Sequence, residues 1–214
     1  MNIYLVSGLG ADKRAFQRVT FPANYRIHHV EWIEPKCDES ISSYALRLST
    51  QINISEPFCL IGLSFGGMIV VEMLDFLQPV KTIIISSVSN SGQIPWFYKI
   101  KGTVKLLRFI PLSFFKSSNT IIHWLFGLSN KGEKQLFKEI INDCDPNFMK
   151  WAIAQVLLLK MDRAAYEIIH IHGNNDKILP MPTIGVNYVI DGGGHFMVFN
   201  KAFEISTILA SSLN

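Results

Sequence analysis

Ser64 stands in the run Phe58-Cys59-Leu60-Ile61-Gly62-Leu63-Ser64-Phe65-Gly66-Gly67-Met68-Ile69-Val70-Val71, a Gly-x-Ser-x-Gly pattern with apolar residues on both sides. A serine hydroxyl is a weak nucleophile. To react it must stand clear of the backbone and face a base, and a tight strand-to-helix turn achieves this by forcing the serine into a strained conformation. Glycines flank it because a Cβ at those positions would collide with the turn. The helix that follows points its first N–H groups at the place where negative charge develops in acyl transfer. The five-residue pattern alone also suits an anion-binding or tightly packed turn; the strand pattern before it and the helix pattern after it favour a nucleophile. Ser86, Ser87 and Ser89 also follow a strand pattern, but they lack the glycines and read as loop residues.

Such a turn needs a parallel sheet beneath it, and the rest of the chain is patterned to supply one. Short β-branched runs at Ile3–Ser7, Arg26–Trp32, Phe58–Leu63, Lys81–Ser86, Glu167–His172 and Val186–Ile190 alternate with helical patterns, the signature of βαβ units. Ile41, Tyr44, Ala45, Leu48 and Ile52 recur at helical spacing and predict a helix over Ile41–Ile52; others are expected over Gly67–Leu77 and from about Lys201 to Leu209. From about residue 91 to 160 the rhythm breaks. Helical patterns there are separated by Pro95, Pro111, Gly127–Gly132 and Asp145-Pro146, with no strand pattern among them. This segment reads as a helical insertion within one domain spanning 1–214. It holds Trp96, Trp124 and Trp151 and many of the phenylalanines, expected mainly as helix core, with some facing whatever the insertion covers.

Composition narrows the class. The 214 residues are 49% hydrophobic and 17% charged, which argues against disorder. Phe58–Val71 is the longest nearly apolar stretch, and it falls short of the roughly 18 to 20 residues that span a bilayer. With no basic lead and only a short apolar run at its start, the chain is expected to lack a signal peptide and stable membrane insertion, and to be cytoplasmic. Cys37, Cys59 and Cys144 are too widely spaced for a disulfide framework or a metal cluster and are expected as free thiols. Net charge is +3, but residues 93–160 carry ten Lys and Arg against four acids. Such a face suits an anionic substrate, an acidic membrane surface or simply solvent; no nucleic-acid motif accompanies it.

The nucleophile turn in this setting resembles that of the α/β-hydrolase family, over nearly the whole chain outside the insertion. The resemblance implies a three-layer α/β fold with about six parallel strands, in the order second, first, third, fourth, fifth, sixth. The two leading strands of larger relatives are absent, and a helical cap occupies about 91–160. It also implies partners for the serine in the order serine, acid, histidine. Gly173-Asn174-Asn175-Asp176-Lys177-Ile178-Leu179-Pro180 resembles the family's acid loop, with Asp176 as the residue that would orient the base. Asp191 competes for that role but lies only four residues before the histidine. Asp191-Gly192-Gly193-Gly194-His195 resembles the terminal Gly-His loop, whose flexible glycines would let His195 reach the serine as base. The other histidines are expected to be structural or solvent-facing. Ser7-Gly8-Leu9-Gly10 resembles the oxyanion loop, which would set the Leu9 N–H opposite that of Phe65; many relatives have histidine where this chain has Ser7.

The expected function is that of a serine hydrolase cleaving an ester or thioester of a small or medium acyl group through an acyl-enzyme, with no metal or organic cofactor. The expected partner is a small-molecule acyl substrate, the basic segment allowing an anionic leaving group such as a coenzyme A thioester. A carbon–carbon bond hydrolase, a lyase, and a non-catalytic ligand-binding protein are the alternatives on the same fold.

Overall fold

The computed structural model describes residues 1–99, 118–161 and 166–213. Along the chain come β1 (Asn2–Val6), β2 (Arg26–Val30), α1 (Ile41–Leu48), β3 (Phe58–Leu63), α2 (Phe65–Met73) and β4 (Lys81–Ile85). Then follow α3 (Thr120–Phe126), α4 (Lys131–Asp143), α5 (Pro146–Leu158), β5 (Ile169–Gly173), β6 (Tyr188–Ile190), α6 (Met197–Asn200) and α7 (Ala202–Leu213). The strands form one sheet in the order β2-β1-β3-β4-β5-β6, and every neighbouring pair is parallel. This is the order and direction implied by the resemblance. β1 and β3 are buried along their whole length, as unbroken apolar runs must be when helices cover both faces. β2 and β6, at the two edges, remain partly exposed.

From β1 the chain moves outward to β2, then returns across β1 to build the other side of the sheet from β3. The loops leaving β1 and β3 therefore diverge at the carboxyl ends of neighbouring strands, where open α/β sheets form their ligand crevices. Gly66, in the first turn of α2, is pressed against the end of β1: a Cβ there would fall inside contact distance of the Val6 and Ser7 carbonyl oxygens. Gly62 is equally confined, by the Gly67 backbone. The two glycines of the motif are thus required by close backbone approach on opposite sides of Ser64.

The element boundaries depart from the sequence pattern in places with identifiable causes. The first helix stops at Leu48, and a 3₁₀ turn, Ser49–Gln51, carries the chain to Ile52. Ser49 and Thr50 donate their hydroxyls to the Leu46 and Arg47 carbonyls, drawing off acceptors that a continuing helix would use. The second helix starts at Phe65 rather than Gly67, because Ser64 ends the strand and its carbonyl accepts the first helical bond, from Met68. β6 begins at Tyr188 rather than Val186; the side chain of Asn187 accepts the His170 N–H in the place of a ladder bond.

Between β4 and β5 the described part of the insertion holds two short 3₁₀ helices, Ser91–Gln93 and Trp96–Lys99, and then three α-helices, punctuated where the sequence is punctuated. Gly127 ends α3 in the left-handed conformation, Asn130 and Glu133 form a capping box at the start of α4, and Asp145 with Pro146 opens α5. Helix α5 is fastened to the sheet domain by aromatic packing, with the Trp151 ring 4.4 Å from Tyr44 and Phe148 4.9 Å from Trp32. Trp151 Nε1 also donates to the Glu39 carbonyl. Trp96 and Trp124, by contrast, are exposed. Lys101, Lys105, Arg108, Phe109, Phe114, Phe115 and Lys116 lie outside the described residues. Among the described residues no helix is long and apolar enough to cross a membrane. Cys37, Cys59 and Cys144 form no disulfide with one another.

The contact of Gly66 with β1 makes a prediction. Gly66→Ala must displace backbone rather than a side chain, so it is expected to destabilise the fold by about 3 kcal/mol or more, the upper range for overpacking. Urea unfolding of the variant checks this, and a loss below about 1 kcal/mol on the same scale would show that the turn can yield.

Candidate active site

Ser64 has φ 52° and ψ −121°, a left-handed conformation that costs a non-glycine residue energy and is kept only where the surroundings over-determine it. Here they do. The Ser64 N–H donates to the Ile85 carbonyl at 2.8 Å, and its own carbonyl accepts the Ser87 hydroxyl at 2.7 Å and the Gly67 N–H at 2.9 Å. Ser87, which the sequence left as a loop residue, is therefore a brace for the turn.

The strained turn aims Ser64 Oγ at His195, whose Nε2 lies 2.8 Å away. On the other side of the ring, His195 Nδ1 is 2.8 Å from Asp176 Oδ2. Both His195 and Asp176 are buried. Burial alone would push the Asp176 carboxyl up. The charge of His195, the hydrogen bonds from His172 and His195 and the Leu179 N–H outweigh it and hold Asp176 well below the usual carboxylate range. An ionised carboxylate only accepts, so His195 Nδ1 carries the ring proton and Nε2 is left as acceptor for the serine hydroxyl. Asp176 Oδ1 is occupied by the Ile178 and Leu179 N–H groups, both at 2.9 Å, which leaves Oδ2 for the histidine. The three residues expected from the sequence are thus brought into one line. Asp191 stands apart, hydrogen-bonded to Asn174.

Of the glycines before His195, Gly192 is left-handed with open space around it, whereas Gly193 and Gly194 are confined. A Cβ on Gly194 would lie 3.1 Å from Gly127 Cα, and Gly193 is packed against Gly173, so these residues allow close backbone contact of the histidine loop with α3 and β5. Phe196 N–H also donates to the Phe126 carbonyl at 3.1 Å, and the Phe126 ring meets His195 edge-on at 5.5 Å. The histidine loop and the insertion are therefore joined.

Above Ser64 and His195 opens a cavity of about 310 Å³, at the lower end of small-molecule sites. Leu9 and Phe65 line its floor beside Ser64. Its walls come from Ile122 and Phe126 of α3, Phe137 and Ile140 of α4, and Ile153 and Val156 of α5. No Asp, Glu, Lys or Arg lines it. A more open groove, of about 820 Å³, runs along α7 between Arg18 and Phe203, and Ser64, Asp176 and His195 take no part in it. Among the described residues no group of three or more His, Cys, Asp or Glu side chains is placed to hold a metal ion.

Two buried histidines on β5 escaped the sequence reading as anything but structural. His172 Nε2 lies 3.5 Å from Asp176 Oδ2, and His170 lies behind it, its Nε2 2.9 Å from His172 Nδ1. The signal was the alternation His170-Ile171-His172, which puts both rings on one face of a strand ending at the acid loop. Burial, reinforced by the neighbouring His172, pushes His170 down from its ordinary 6.5 to about 4. The unfolded chain therefore takes up this proton first. Stability is full above about 6.5 and falls as pH drops toward 4, by up to roughly 3 kcal/mol, whereas any loss from Asp176 comes lower, below its ordinary value of 3.8. In His170→Gln the decline in unfolding free energy between pH 7 and 4.5 is expected to be shallower; equal slopes for variant and native protein would contradict this assignment.

No family model matches the chain, and no curated protein matches it. Solved structures do. A thermophilic esterase from Thermogutta terrifontis, with malate bound, superposes with a TM-score of 0.73 at 14% identity, over 100% of this chain and 89% of its own. MenH from S. aureus gives a TM-score of 0.69 at 14% identity, covering 98% and 91% of the two chains. An extracellular α/β-hydrolase from a Paenibacillus species gives 0.64 at 14% identity, covering 98% and 97%. So little shared sequence along so much shared backbone speaks to architecture alone: the chain has the α/β-hydrolase fold.

Proposed function

We propose that the protein is a serine hydrolase that cleaves an ester or thioester of a small or medium apolar acyl group through an acyl-enzyme. The observation that carries this reading is the unbroken hydrogen-bonded line from Ser64 Oγ through His195 to buried Asp176, opening into an uncharged, apolar cavity. In the proposed reaction His195 Nε2 takes the Ser64 proton as Oγ attacks the acyl carbonyl. Asp176 stabilises the imidazolium and keeps its Nδ1–H in place. The Leu9 and Phe65 N–H groups receive the oxyanion, a role supported by their positions beside Ser64 at the ends of β1 and β3. His195 then gives its proton to the leaving oxygen or sulfur. Water repeats the sequence on the acyl-enzyme, with the same histidine as base.

The walls favour the acyl half of the substrate. Isoleucine, phenylalanine and valine side chains from α3, α4 and α5 offer an alkyl or aryl group favourable burial and offer a carboxylate or phosphate nothing. An anionic leaving group, if the substrate has one, would have to meet its basic partners outside this cavity.

The test is labelling by a serine-directed fluorophosphonate together with turnover of a series of p-nitrophenyl esters. Native protein is expected to label, and Ser64→Ala and His195→Ala to lose labelling and kcat by roughly 10⁴ to 10⁶-fold, as residues that act as a unit do. Asp176→Asn is expected to lose about 10⁴-fold through the wrong imidazole tautomer. Equal labelling of native protein and Ser64→Ala would remove the proposed nucleophile. Ile153→Trp should fill part of the cavity and shift the preferred ester to a shorter acyl chain. An unchanged chain-length profile would place the acyl group elsewhere.

A further inference from the structure

The histidine pair on β5 belongs to none of the steps above, yet its proton positions are determined. The Leu179 carbonyl, 2.8 Å from His172 Nε2, can only accept, so His172 carries its proton on Nε2. A neutral ring then has a bare Nδ1, and the 2.9 Å contact with His170 Nε2 requires that His170 donate from that nitrogen. His170 Nδ1 is left as a bare lone pair with no hydrogen-bond partner, in a ring almost wholly buried. The low basicity of His170 keeps that ring neutral at the pH values where the sequence of donors must hold.

This arrangement converges on the carboxylate. Leu179 donates its N–H to Asp176 Oδ1 and accepts from His172 through its carbonyl, so His172, Leu179 and Asp176 form a closed circuit. Oδ2, the oxygen that faces His195, has the His172 Nε2–H as a second neighbour at 3.5 Å. We propose that His172 is a positioning residue for Asp176: its Nε2–H, shared between the Leu179 carbonyl and Oδ2, keeps the carboxylate turned toward His195 and draws off part of its charge, with His170 fixing the His172 tautomer. The role in turnover rests on the hydrolase reading; the hydrogen-bond circuit does not.

A consequence follows for pH. A carboxylate oxygen that shares its charge with a second donor stabilises a neighbouring imidazolium less than one that keeps its full charge. Around the His195–Asp176 pair stand Ser64 from the nucleophile turn, the His172 and His170 rings from β5, and the Tyr98 phenol, whose hydroxyl donates to the Ile178 carbonyl. Lys177 sits beside Asp176 in sequence but sends its ammonium to Asn175 and over the Trp124 ring. Asp191 is engaged with Asn174 on the adjoining loop. Substitution of His172 leaves the other groups in place.

Two substitutions separate the proposed role from simple packing. In His172→Asn the short amide can still accept from His170 but has no donor at the Nε2 position, whereas the longer amide of His172→Gln can place one there. With a short-chain p-nitrophenyl ester, His172→Asn is expected to lose about tenfold in kcat with little change in KM, the scale of one hydrogen bond to a charged group. The acid limb of its pH–rate profile should move to higher pH. His172→Gln is expected to restore both. An unmoved limb in the Asn variant, or an equal displacement in both variants, would overturn the proposal. Should either variant fail to fold, ¹⁵N NMR of the native protein's imidazoles decides: His172 as the Nε2–H tautomer supports the circuit, and the Nδ1–H tautomer defeats it. Native protein that does not react with fluorophosphonate defeats the hydrolase reading, and the role of His172 in turnover with it. Labelling accompanied by an unmoved limb defeats the role of His172 alone.

Discussion

The approach of Gly66 to the Val6 and Ser7 carbonyls is the constraint on which the site's geometry rests. It brings the first turn of α2 against the end of β1, and so sets the nucleophile turn beside the Ser7–Leu9 loop. Ser64 can then occupy a left-handed conformation, because the strand before it and the helix after it are each held by contacts that do not depend on the serine side chain. Strain of this kind costs on the order of 1 to 3 kcal/mol per residue. The buried sheet offsets it, and the result is a hydroxyl that faces its base without needing to be moved there.

The acid and base are built on the same logic at the far side of the sheet. β5 ends where Asp176 begins a turn whose own N–H groups satisfy Oδ1, and β6 ends where the histidine loop folds back over β5. Each member of the line is supplied by a different strand end, so its geometry depends on the twist and register of the sheet more than on any one loop. Burial then raises the stakes of every polar group. Asp176 remains charged because donors surround it, and His170 remains neutral because burial and the neighbouring His172 disfavour its cation.

How much of this was legible in the sequence depended on whether the information was local. The Ser64 turn was readable because strand, glycines and helix are contiguous; alternating strands and helices implied parallel crossovers, and the strand order came from the family resemblance that the turn carries. The histidine pair on β5 was written in plain alternation, yet its link to Asp176 depends on how the Leu179 carbonyl folds back, which no spacing encodes. The close packing of Gly193 and Gly194 is not legible in the sequence because the surfaces they touch, Gly173 and Gly127, are distant along the chain. The same limit applies to the insertion. Trp151 and Trp124 occupy similar helical patterns, but only tertiary contact with Tyr44 decides that one is a clamp and the other lies open to solvent.

The contact between Gly127 and Gly194 has a consequence for how such a protein could change over evolutionary time. Helix α3 both walls the cavity and abuts the histidine loop, through Phe126 and the paired glycines. Selectivity and reactivity are therefore not separately inherited modules. A lineage that remodels this wall also shifts the seat of His195, and variants that reshape the cavity will tend to be filtered by whether the imidazole keeps its place. Diversification is then expected to concentrate on α5, since α4 also meets the histidine loop where the Phe137 ring packs edge-on against Phe196.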